Sequence, residues 1–246
     1  MTVSAFPAAP TGQRRKALLQ LAILSLLVVA LSVPLSPSEV IGAGPGMKLA
    51  LIGRMALLVA VATWMLRSAG KRWSDVGLRA PRRWWIVGVA VVAGYLVLGG
   101  AAALLQILVL PRLGLAGPDL AAFAGLRGDL PEYLFWALPV AFGSAAFGEE
   151  LVARGFLTDR IATLVGGAAP GGGVLFAAVL LQGVLFGACH AYQGLGGALV
   201  TAVVGMVLGL VWLWTGRNLW ACIFLHGLVD FVSMTAFYTG AVGGPA

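Results

Sequence analysis

The chain has 246 residues, of which 60% are hydrophobic and 10% charged, against roughly half apolar and a quarter charged in soluble globular domains. That balance excludes an ordinary soluble domain and points to lipid as the solvent. Lysine and arginine outnumber acids 16 to 9, but the excess flanks apolar runs, which marks membrane orientation and not nucleic-acid binding.

A hydrocarbon core about 30 Å thick takes roughly 20 apolar helical residues per crossing, so the chain has room for about seven, with six to eight admissible. The fold class expected is therefore all-α, a polytopic transmembrane helical bundle. The spans fall at 17–35, 49–66, 84–110, 133–157, 174–192, 195–214 and 219–238. Arg14, Arg15 and Lys16 precede the first run in the manner of a secretory signal, but no cleavage pattern follows. The second run carries Arg54, and the third opens on Trp84 and Trp85 behind Arg82 and Arg83. All five are read as setting depth at the headgroups. Two regions result: residues 1–130, with about three spans and a basic cytoplasmic loop, and residues 131–246, a core of about four spans.

In the connections, Arg14, Arg15, Lys16, Arg67, Lys71, Arg72, Arg79, Arg82, Arg83, Arg160 and Arg217 fall on one side, against Lys48, Arg112 and Arg127 on the other. The N-terminus is thus expected in the cytoplasm. An extra crossing or half-helix between Leu113 and Leu130 would change the side of the C-terminus. Gly205 and Gly209, four apart, allow close helix approach. Cys189 and Cys222 lie in apolar runs without ligand spacing and are read as buried thiols.

An ionisable side chain at mid-bilayer needs a partner, a wet cavity or a function. The fourth run contains Glu149 and Glu150, with Arg154 four residues beyond the second acid and on its helical face. Glu149 lies about 100° around an α-helix from Glu150, so one acid can pair with Arg154 while the other points elsewhere. The fifth run ends at His190, and the seventh holds His226 and Asp230, again four apart. Both histidines of the chain and these three carboxylates have the parts for proton transfer or metal binding. The plain alternatives are an ion pair for Glu150 and Arg154, mutual hydrogen bonding for Glu149, His190 and His226, and core packing for Phe186.

The patterns Glu149-Glu150-x-x-x-Arg154, Phe186-x-x-x-His190 and His226-x-x-x-Asp230, in this order, resemble the three motifs of the CPBP family. That family comprises CAAX-processing endopeptidases and bacteriocin-processing or immunity proteins (Abi-like), and the resemblance covers residues 133–238. One departure is Asp230, where the family usually has asparagine. The resemblance implies intramembrane proteolysis: Glu149 activates water, His190 assists, and His226 with Asp230 stabilises the carbonyl oxyanion. An ionised aspartate cannot donate a hydrogen bond, so Asp230 is either protonated or orients His226. Glu150, Arg154 and Phe186 are then supporting residues. No cofactor is implied in this reading, although His190 and His226 with Glu149 or Asp230 would also make a zinc site.

His226 sits about eight residues, roughly 12 Å, from the cytoplasmic end of its helix, and His190 near the opposite end of its own. They meet only if the fifth helix ends inside the membrane in a protein-covered turn, which Gly194, Gly196 and Gly197 make feasible. The function expected is an intramembrane endopeptidase acting on CAAX-like or peptide-leader substrates in the bacterial inner membrane. The alternative is a non-catalytic immunity or scaffold protein that binds a partner. A proton-coupled carrier ranks last, because no internal repeat is apparent. The partners expected are membrane lipid, a protein or peptide substrate and, on the scaffold reading, a membrane protein, with no nucleic acid.

Overall fold

A computed structural model describes residues 11–32, 37–167 and 169–242. Among these residues there are helices and turns but no strand. Helix α1 spans Thr11–Ser32, α2 is the single turn Pro37–Val40, α3 spans Pro45–Ser68 and α4 spans Trp84–Leu104. A long continuous helix follows, built from α5 (Leu130–Phe135), wide π-type turns over Trp136–Glu149 and Leu151–Leu157, and α6 (Thr158–Gly166). The last three are α7 (Gly172–Ala188), α8 (Gly194–Trp214) and α9 (Leu219–Thr239).

Four stretches are long and apolar enough to cross a bilayer: Pro45–Ser68, Trp84–Leu113, Ala191–Trp214 and Leu219–Thr239. Only 22–39% of their apolar windows is buried within the protein. Leu96, Ile107, Leu181 and Leu195 are among the large side chains that point outward, as lipid-facing surface does and water-facing surface does not. The protein is an integral membrane protein. The expected runs 17–35 and 133–157 are helical where described, and 174–192 is helical to Ala188 and then breaks in a turn at Cys189 and His190, so that α7 has 17 residues. Positions 33–35 of the first run lie outside the described residues.

Basic residues gather at one end of the bundle. There Arg14 donates to the Val165 carbonyl, Lys16 to that of Ser68 and Arg79 to that of Gly216, while Lys71 pairs with Asp159 at 2.6 Å. At the other end Lys48 pairs with Glu132, and the Gly128 amide donates to the Tyr238 carbonyl. Arg160 departs from the expectation of a loop cation. It lies in α6, is buried, pairs with Asp159 and donates to Gln20 of α1 at 3.3 Å.

The centre is formed where α4, α8 and α9 pack together through Ala90, Leu98, Leu208, Trp212, Cys222 and Leu225. Cys222 is the buried thiol expected, but Cys189 is exposed. The tightest seam joins α7 to α8. A Cβ on Gly187 would lie 2.3 Å from the Ala198 carbonyl oxygen, and one on Gly209 would lie 2.5 Å from Val179. With no hydrophobic force between helices in lipid, backbones this close gain van der Waals contact that larger residues forbid. Gly187→Val is therefore expected to cost about 1–3 kcal/mol, measured as a lowered unfolding midpoint in detergent. Gly99→Ala, which meets nothing within 4 Å, is the control, and equal midpoints for both variants would contradict the seam.

Candidate active site

The long helix starts at Asp129, whose side chain accepts a hydrogen bond from the Glu132 amide at 3.0 Å, with Pro131 in the first turn. Pro139 brings no amide donor to the helix interior, and the backbone winds in π-type turns from there past Arg154. Such widening is rare and concentrates at functional sites. The sequence-based angle between Glu149 and Glu150 assumed an α-helix, so the true offset differs. The sorting it implied is nonetheless present: Glu150 is fully buried and Glu149 partly exposed.

Glu150 is the hub of a buried polar array. Its Oε1 accepts from Arg154 Nη1 at 2.7 Å and from His226 Nδ1 at 2.7 Å. Arg154 also donates from Nη2 to the Gly205 carbonyl at 3.2 Å, and its guanidinium lies 4.2 Å from the centre of the Phe186 ring. Phe186 is thus the apolar cover of a buried cation. Because Nδ1 of His226 donates to a carboxylate, its Nε2 is left for chemistry, 3.4 Å from Asp230 Oδ2. Among the described residues, Glu150 Oε2, Arg154 Nε and both amide atoms of Gln182 are buried without a hydrogen-bond partner.

His190 follows the end of α7, and its Nδ1 donates to the Phe186 carbonyl at 2.8 Å, which leaves Nε2 available. A carbonyl can only accept, so the proton is on Nδ1. Of the glycines after it, Gly196 and Gly197 are buried, while Gly194 is exposed, as are Ala191 and Tyr192. A Cβ on Gly196 would fall 1.8 Å from the Ala116 carbonyl oxygen, and the Asp119 amide donates to the Gln193 carbonyl at 2.9 Å. The two histidines therefore do reach one site: with Asp230, Phe186, Gln193, Thr201 and Leu98 they line a cavity of about 150 Å³. A larger cavity of about 440 Å³, lined by Arg79, Arg82, Arg83 and Asn218, lies elsewhere and holds none of the candidate residues.

Glu149 lies within electrostatic reach of His226, Asp230, Tyr192, Cys189 and Arg54. Arg54, on α3, lies within electrostatic reach of Glu149 and Tyr192. Sequence reasoning also passed over Tyr192, Gln193, Thr201 and Gln182. One signal could have found Gln182: it stands four residues before Phe186 on one face of α7, and Phe186 stands four before His190.

Among the described residues, no three His, Cys, Asp or Glu side chains converge as metal ligands. His226 already directs Nδ1 to Glu150 and Nε2 toward Asp230.

Residues 131–232 match the family model of the type II CAAX prenyl endopeptidase Rce1-like proteins. This segment belongs to the CPBP family. It holds Glu149, Glu150, Arg154, Phe186, His190, His226 and Asp230, so every motif residue of the site lies within the CPBP segment. The chain is also similar to the puromycin resistance protein pur8 of Streptomyces alboniger, at 35% identity over 114 residues, covering 42% of this chain. It spans about 21% of that protein's length. No solved structure matches the chain.

The Glu150–Arg154 pair is sealed, so removing one partner leaves an uncompensated charge in the bundle. Arg154→Leu is expected to cost about 3–5 kcal/mol, read by chemical unfolding in detergent micelles. A loss below about 1 kcal/mol would mean that Glu150 has no need of the guanidinium.

Proposed function

We propose that the chain is an intramembrane endopeptidase of the bacterial inner membrane, with its N-terminus in the cytoplasm, that hydrolyses peptide bonds of membrane-associated substrates of CAAX-like or peptide-leader type. The core after residue 130 carries the chemistry, and the region before it supplies anchoring spans. The observation that supports this most is the meeting of His190, His226 and Asp230 on one cavity, with Glu149 in electrostatic reach of the last two, inside a segment that matches an endopeptidase family.

In this reading Glu149, partly exposed where Glu150 is sealed, accepts a proton from water as the water oxygen bonds to the scissile carbonyl carbon. The Nε2 atom of His190 holds that water or passes its proton on. On the carbonyl side, His226 is aimed by its Nδ1–H bond to Glu150. Its Nε2, carrying a hydrogen, donates to the oxyanion as negative charge develops. Asp230, at 3.4 Å, orients that nitrogen, which fits an aspartate where the family usually has asparagine. Collapse of the tetrahedral intermediate breaks the C–N bond, and the proton taken by Glu149 goes to the leaving amine. Two products result, a new carboxylate and a new amine, with water consumed. Arg154 and Phe186 hold Glu150 in place and touch no reacting atom.

The test is cleavage of a membrane-peptide library by purified protein in lipid. Glu149→Gln is expected to keep the unfolding midpoint and to lose cleavage by about 10²–10⁴-fold, while a chelator leaves the wild type unchanged. Chelator sensitivity would transfer the water activation to a metal. Folded wild type without any cleavage would favour the non-catalytic, partner-binding reading.

A further inference from the structure

The larger cavity, of about 440 Å³, forms where the connection before α4 meets the connection between α8 and α9. Backbone and side-chain bonds zip these two connections together. The Leu219 amide donates to the Gly77 carbonyl, Asn218 Nδ2 to the Arg79 carbonyl and Arg79 Nη2 to the Gly216 carbonyl, each at 3.0 Å. Gly77, at φ +117°, comes so close that a Cβ on it would fall 2.5 Å from the Arg217 carbonyl oxygen. The hollow is therefore shaped by the fold itself. Its lining includes three guanidinium groups, those of Arg79, Arg82 and Arg83, and no acid. The side chains of Arg82 and Arg83 are exposed and, among the described residues, make no hydrogen bond or ion pair. Arg83 is also the N-cap of α4, whose first turn has no side-chain cap, so the free amides there add to the positive potential.

We propose that this hollow binds the phosphate of an anionic phospholipid, which clamps the start of α4 to the connection between α8 and α9. What borders the hollow selects a lipid over a soluble anion. Ile86 and Val87 of α4 give it an apolar wall, and Trp84, Trp85, Val89 and Leu96 of the same helix are 49–69% exposed. Large apolar side chains in that state are covered by lipid, and tryptophans mark the level of the headgroups. Phosphate and acyl chain are thus met in one place, as in basic pockets between membrane helices that hold anionic headgroups. Arginine suits the task because its planar fork pairs with two phosphate oxygens through parallel hydrogen bonds. The inference stands apart from the endopeptidase reading. It bears on the same scaffold, because α4 also carries Leu98 to the wall of the candidate site.

The experiment strips lipid from the full chain in neutral detergent and titrates it with phosphatidylglycerol or with phosphatidylcholine of the same acyl chains. Bound lipid is read by native mass spectrometry, and the unfolding midpoint is followed in parallel, since a ligand of the folded state raises it. Wild type is expected to hold phosphatidylglycerol at least tenfold more tightly and to gain a higher midpoint from it alone. The double variant Arg82→Gln/Arg83→Gln should lose that preference. Arg15→Gln/Arg67→Gln, which removes the same charge from exposed positions outside the hollow, should keep it. Equal binding of the two lipids by wild type would overturn the proposal. An equal loss in both double variants would do so too, by reducing the effect to overall charge. Displacement of phosphatidylglycerol by an equal concentration of inorganic phosphate would replace the lipid with a soluble anion. Should the double variant at 82 and 83 not fold, the two single glutamine variants decide by the same comparison.

Discussion

A carboxylate buried in a membrane bundle must find its counter-charge within the protein, and Glu150 does so twice through a single oxygen. Arg154, one turn along its own helix, and His226, on α9, both donate to Oε1. The first bond is local and holds whatever the rest of the chain does. The second ties residues 76 positions apart and fixes where α9 sits against the long helix. Leaving either group alone in low dielectric would cost several kcal/mol. The array therefore specifies one helix arrangement where apolar packing against lipid-like neighbours would tolerate several.

From this constraint follows the different treatment of two adjacent acids. Glu150 is enclosed and spent on structure, and it aims the imidazole of His226 by taking its Nδ1 proton donor. Glu149 is partly exposed and lies within electrostatic reach of Asp230, Tyr192 and Arg54. The wide winding of the helix through Pro139 and Gly148 contributes here. It changes the angle between successive side chains, and the bare backbone at Gly148 admits Met55 of α3. A regular α-helix with a larger residue at 148 would hold α3, and Arg54 with it, farther from the site.

Much of the chemistry was legible because it was written in local spacing. Glu150 with Arg154 and His226 with Asp230 are each four apart, and each pair does face the other in space. Glycine at 205 and 209 announced a close seam, and the structure has it with α7. What stayed hidden was lateral order. Helices α3, α4, α7, α8 and α9 are apolar on nearly every side, since lipid and protein interior ask for the same residues, so no stripe tells which face meets which neighbour. Hence the bond between Glu150 and His226, the approach of Arg54 to Glu149 and the burial of Arg160 against Gln20 could not be read beforehand. The π-type turns were illegible for a related reason: a hydrophobic run carries the same composition whether it winds in steps of 3.6 residues or wider.

The division of labour between the two regions of the chain bears on what evolution can alter separately. The acid and histidine motifs lie within residues 131–232, and their geometry is set by bonds among α7, α8, α9 and the long helix. Leu98 of α4, by contrast, lines the cavity from outside that segment. Leu98 takes no part in the Glu150 array, so it can change without unpairing a buried charge. A scaffold arranged in this way keeps the costly polar contacts within one segment and leaves part of the cavity lining to a helix held by apolar packing. On the proposed reading, the residues that distinguish one substrate from another are then to be sought on α4, facing a core whose chemistry is already fixed.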